Sequence, residues 1–139
     1  MKKRRKARIL AMHCLYQYDL VGGSIEEIFE ETKKNFRLER DISAFSWNIT
    51  RHIIDDWQKL NAIISKYSDN WDLERMCSVD RALLRIGVAE LLYFPESPVS
   101  VTINEAVEIA KAYSTDNSCS FINALLDKIS RELVPEKER

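Results

Sequence analysis

Six cations crowd the first eight residues: Lys2, Lys3, Arg4, Arg5, Lys6 and Arg8, with no acidic residue before Asp19. The chemistry open to such a cluster is phosphate neutralisation, because lysine and arginine gain affinity for a nucleic acid by releasing its counterions. Of 21 basic residues the remaining 15 face 22 acidic ones, so a net charge of −1 conceals a basic arm on an acidic body. Bond-making chemistry has no comparable signal. The chain holds no G-x-G-x-x-G, G-K-[ST], H-E-x-x-H or G-x-S-x-G pattern. The carboxylate pairs Glu30-Glu31 and Asp55-Asp56 would point apart around a helix, and His13 and His52 have no neighbour at metal-ligand spacing. Cys14, Cys77 and Cys119 are odd in number and widely separated, which argues against disulfides and zinc and for a reducing cytosol. These patterns predict no catalytic residue, no metal and no cofactor.

The elements that must position the arm are helical. Glycine and proline number three each, and apolar residues recur at three- and four-residue steps through most of the 139 residues, predicting an all-α fold in one domain spanning 1–139. Ala7, Leu10, Ala11, Cys14, Leu15 and Tyr18 form one stripe on a first helix ending near Gly22-Gly23. The arm, residues 1–8, then lies on its first turn, where the helix dipole disfavours cations and Lys2/Lys6 and Arg4/Arg8 are like-charge pairs four apart. Residues chosen for helix stability would be acidic there. Either the arm is a solvated, solubilising tail or it binds phosphate, and the second reading requires its side chains to lie near the segment that carries Phe121 and to stay clear of the molecule's own carboxylates.

Ser24 and Glu27 form a capping box for a second helix running to about Phe36. From Asp41 to Tyr67 the apolar period predicts one long helix, or two with a bend around Asn48 to Arg51; Trp47 and Trp57 read as core fillers. Ser68-Asp69-Asn70 breaks the pattern and Trp71 anchors the crossing. Ser78 is placed to cap a central helix over DRALLRIGVAELLYF, whose apolar residues cover nearly its whole circumference, with Asp80 and Arg81 at its rim. Pro95 and Pro98 stop it. Thr102 and Glu105 read as a second capping box, Ser114 to Ser118 as a loop, Phe121 to Leu133 as the last helix, and 134–139 as a polar tail. No run is long and uncharged enough for a membrane span.

Three segments, RRKARILAMHCLYQYDL, VDRALLRIGVAELLYF and INEAVEIAKAYSTDNSCSFINALLDKI, resemble in order and spacing the characteristic segments of the NusB transcription antitermination family. The resemblance covers essentially the whole chain and implies about seven helices in two packed three-helix subdomains, without catalytic activity. It further implies binding of boxA-type single-stranded RNA jointly with NusE, a small-subunit ribosomal protein, within the RNA polymerase antitermination complex on ribosomal RNA operons of the bacterial cytoplasm. By matching position, Arg4, Arg5, Lys6 and Arg8 would hold RNA phosphates, and Asn117, Ser118, Ser120 and Phe121 would complete that surface. Tyr16, Glu74, Asp80 and Arg81 would face NusE. Ser120 stands where relatives often carry a cation, which weakens phosphate contact, and Asn117 where they carry an acid, which relieves repulsion. The competing reading is a helical protein–protein scaffold or homodimer that does not bind RNA.

Overall fold

The computed structural model describes residues 2–69 and 72–139, so the expectations for Asn70 and Trp71 lie outside the described residues. These residues form seven α-helices and no strand: α1 (Lys3–Val21), α2 (Ile25–Lys33), α3 (Arg40–Asp55), α4 (Trp57–Tyr67), α5 (Ser78–Tyr93), α6 (Val99–Tyr113) and α7 (Asp116–Leu133), with a single 3-10 turn at Leu73–Arg75 before α5. Helices α1, α2 and α3 pack on one another, as do α5, α6 and α7, while α4 bridges α3, α5 and α7. The all-α reading and its division into two three-helix groups are therefore what the chain adopts.

Helix α5 is the hub, packing against α1, α3, α4, α6 and α7. A hub helix has almost no solvent face, and eleven residues of α5 are buried, including Asp80, Arg85 and Glu90. Gly87 lets α7 come close: a Cβ built there would lie 2.7 Å from a Leu126 methyl. One hydrophobic core runs from α1 and α3 through α7, and a smaller one joins Leu10 and Cys14 to Ile25, Ile28 and Phe29 of α2.

Local signals explain most boundaries. α1 stops at Gly22, whose φ of 75° leaves the helical region and suits a residue without Cβ. Ser24 accepts a hydrogen bond from the Glu27 amide at 3.2 Å, the first half of the expected capping box. Four expectations need correction. The α3/α4 break falls at Asp56 rather than at Asn48 to Arg51, where the Tyr93 hydroxyl of α5 donates to the Asp56 carboxylate and anchors the corner. Ser78 is already inside α5 and its hydroxyl accepts from Arg81 instead of capping. Thr102 is buried in the first turn of α6, its hydroxyl without a partner among the described residues, while Glu105 is engaged by α1. The loop at Ser114 shrinks to two residues, because Thr115 caps α7 by accepting from the Ser118 amide at 3.1 Å.

Residues 134–139 also fold back. The Glu138 and Arg139 carbonyls accept from the Val99 and Ser100 amides at 2.8 and 2.9 Å, satisfying two of the free N–H groups that every helix start presents. The Lys137 ammonium donates to the Glu90 and Leu91 carbonyls at the end of α5. Through these bonds the tail ties the end of α5 to the start of α6.

Candidate nucleic-acid interface

The arm divides into two sets. Arg8 is 3% exposed, and its Nε and Nη2 each donate to a Glu90 carboxylate oxygen at 2.7 Å. Arg5 makes a second fork to Glu105 of α6, at 3.0 and 2.7 Å. Glu105 also lies 3.5 Å from Arg8 and 3.8 Å from Lys2. The Arg5 hydrogen bond, against the opposing effect of burial, holds the Glu105 carboxyl below the ordinary carboxylate range. The expectation that the whole arm stays clear of internal carboxylates is thus corrected for Arg5 and Arg8: α1 needs them to neutralise two carboxylates buried on α5 and α6. The second set is exposed. Lys3 pairs with the exposed Glu39, Arg4 lies over the Phe45 ring at 4.3 Å, and neither Arg4 nor Lys6 has a carboxylate partner among the described residues. The Lys3–Glu39 pair is exposed on both sides, and the Lys2 ammonium reaches the buried Glu105 only at 3.8 Å from a largely exposed side chain, so both cations remain exchangeable.

The start of α7 supplies a second surface. Asn117 and Ser120 are exposed on successive turns and Phe121 is half-buried beside them. Ser118 departs from the expectation: it is buried, and its hydroxyl donates to Asp80 at 2.6 Å while Ser114 donates to the other Asp80 oxygen at 2.7 Å. Asp80, with both oxygens occupied, is therefore an internal tie between α5, α6 and α7 and not a rim residue, a second correction. A third correction concerns the expectation that the arm lies near the segment carrying Phe121: the arm and the start of α7 sit toward opposite ends of α5. α1 and α5 run antiparallel, Arg8 meeting Glu90 and Asp19 meeting Arg81, and the step along α5 from Glu90 to Asp80, which holds Ser118, spans roughly 15 Å.

A third cluster gathers where α1 ends. Arg81 donates to Asp19 at 2.7 Å and to the Leu73 and Met76 carbonyls, fastening the 3-10 turn that carries the exposed Glu74. Arg85 donates to the same Asp19 oxygen at 3.0 Å and stacks its guanidinium 3.9 Å from the Trp57 ring centroid. Burial would raise the Asp19 carboxyl, but the Arg85 and Arg81 hydrogen bonds outweigh it and hold the group below its ordinary range. Tyr16, 41% exposed, and Leu20, 53% exposed, stand one turn apart on α1 beside this network. Tyr16, Glu74 and Arg81 are thereby brought to one end of the molecule, with an apolar patch next to them.

Sequence reasoning missed Glu90, Glu105 and Asp19 as partners of the arm and of Arg81. A signal existed: Glu90 and Glu105 interrupt otherwise apolar helix faces, and a carboxylate in such a place needs a cation.

Among the described residues no group of histidine, cysteine and acidic side chains could hold a metal ion, and no helix is long and apolar enough to cross a membrane. The bundle thus presents exposed cations at the start of α1 and the exposed Tyr16 and Leu20 near its end. The NusB family model matches residues 5–131, and the chain belongs to the NusB family. It is 38% identical over 136 residues to the transcription antitermination protein NusB of Desulfosudis oleivorans, covering 96% of this chain and 88% of that one. Among solved structures it is similar to T. maritima NusB, with a TM-score of 0.88, 34% identity, and 96% and 94% of the two chains covered. It is also similar to a chain in a crystal structure of the antitermination factors NusB and NusE in complex with dsRNA, with a TM-score of 0.86, 27% identity, and 95% and 98% covered. The first of these relatives is named a transcription antitermination protein and the last an antitermination factor.

Proposed function

We propose that the protein is a transcription antitermination factor of the bacterial cytoplasm that binds boxA-type single-stranded RNA jointly with NusE during transcription of ribosomal RNA operons, as part of the RNA polymerase antitermination complex. Lys2, Lys3, Arg4 and Lys6 hold phosphates, backed by Arg5, while Asn117, Ser120 and Phe121 contact bases, Phe121 by stacking. Tyr16 and Glu74 meet NusE, with the largely covered Arg81 holding the turn that carries Glu74, a role in which an acidic body attracts a basic ribosomal protein. The observation that carries this reading is the position of Arg4 and Lys6: both are exposed and without carboxylate partners among the described residues, in a first helical turn whose dipole repels them. The related structure holding NusB, NusE and dsRNA supports the choice of ligand class.

Titrating labelled boxA-type RNA, single-stranded and duplex, against the full chain with and without NusE tests the proposal. The triple variant Lys3→Ala, Arg4→Ala, Lys6→Ala is expected to lose RNA affinity while keeping its helical spectrum and its affinity for NusE. Unchanged RNA affinity in that variant contradicts the proposal and favours the scaffold reading.

A further inference from the structure

The gap of roughly 15 Å between the arm and the start of α7 is not featureless. A groove of about 620 Å³ runs between α6 and α7, with Lys2 and the tail residue Arg139 at its arm end. That volume is in the range that takes a small organic ligand, enough for an unstacked base. Asn104 of α6 and Asn123 of α7 both line it; both are exposed, and neither side-chain amide has a hydrogen-bond partner among the described residues. An asparagine amide offers two donors and an acceptor in one plane, the pattern that matches a base edge. Asn123 lies three residues from Ser120 on α7, so the groove continues the face that Asn117 and Ser120 begin.

Electrostatics permit a polyanion there. The groove's carboxylates are already neutralised: Glu105 is bound by Arg5 and Arg8, and Asp127 accepts from Arg131 at 3.0 Å and from Arg139 at 2.9 Å. A strand entering from the arm would pass paired acids and meet the Lys2 ammonium first.

We infer that this groove is a base-reading subsite, in which Asn104 and Asn123 hydrogen-bond the edges of bases whose flanking phosphates are held by the arm. The inference rests on the RNA-binding function proposed above, and the two can fail separately. The test titrates the full chain and an Asn104→Ala, Asn123→Ala double variant against a boxA-type RNA and a scrambled RNA of identical composition, at two salt concentrations. Both side chains are exposed, so the variant should keep its circular dichroism spectrum.

The wild-type chain should prefer the boxA-type RNA. The variant should lose about tenfold of that affinity while its affinity for the scrambled RNA and its salt dependence stay unchanged. A variant that keeps the full preference overturns the subsite and leaves RNA binding standing. Equal losses on both RNAs, or a wild type that prefers neither, show that the groove does not read bases. A wild type that binds neither RNA overturns both readings.

Discussion

Arg8 and Lys6 are two residues apart in one basic run, and their environments are opposite. Arg8 is enclosed with Glu90, so Arg8→Ala strands a buried carboxylate and should cost about 3–5 kcal/mol in chemical denaturation. Lys6 is exposed and its side chain has no hydrogen-bond or ion-pair partner among the described residues, so Lys6→Ala should leave stability within about 0.5 kcal/mol. It should lower the magnitude of the salt slope of RNA binding by about 1. Arg5→Ala is a poor probe of RNA contact, because it also removes the hydrogen-bonded partner of the buried Glu105. Thr102→Val should be neutral or stabilising, since it removes a buried hydroxyl with no partner among the described residues. The carboxyls of Glu105 and Asp19 lie below their ordinary values of 4.5 and 3.8 in the folded chain, so they contribute stability that is complete above those values. That contribution should be lost as pH falls through the lower folded values, seen as a drop in midpoint denaturant concentration below about pH 4. The distinction between Arg8 and Lys6 was not legible in spacing: Arg8 stands three and seven residues from the buried Ala11 and Leu15, but Lys6 stands four and eight from the buried Leu10 and Cys14, and only the carboxylates of α5 and α6 separate them.

At the scale of elements, the hydrophobic period revealed the helices and the central place of α5, because a helix covered on all sides must be apolar on all sides. Boundaries set by distant groups were not legible. The corner at Asp56 depends on a tyrosine from α5, and the tail's fold depends on the free amides of α6. Both facts belong to tertiary contact and leave no mark on local spacing. Close packing of α5 on α7 gives a test: Gly87→Ala should destabilise by about 1–3 kcal/mol despite alanine's better helix propensity, because Leu126 is fully buried and has little room to yield. Combining it with Leu126→Ala should cost less than the two separate losses added together. Removing residues 135–139 should speed amide exchange at Val99 and Ser100, whose acceptors it deletes.

For the whole molecule, the arrangement separates two tasks along the length of α1, with cations at its start and an apolar patch and the Asp19–Arg81 network at its end. Internal pairing of Arg5 and Arg8 fixes the start of α1 on α5 and α6, which makes the remaining cations a surface of set geometry instead of a loose tail. That surface is the central claim, and the salt dependence of RNA affinity measures it most directly. With Lys2, Lys3, Arg4 and Lys6 each neutralising one phosphate, log affinity for single-stranded boxA-type RNA should fall against log salt with a slope of roughly −3. The Lys3→Ala, Arg4→Ala, Lys6→Ala variant should have a slope nearer to roughly −1. A wild-type affinity that does not change with salt, or a variant slope equal to that of the wild type, would contradict the account.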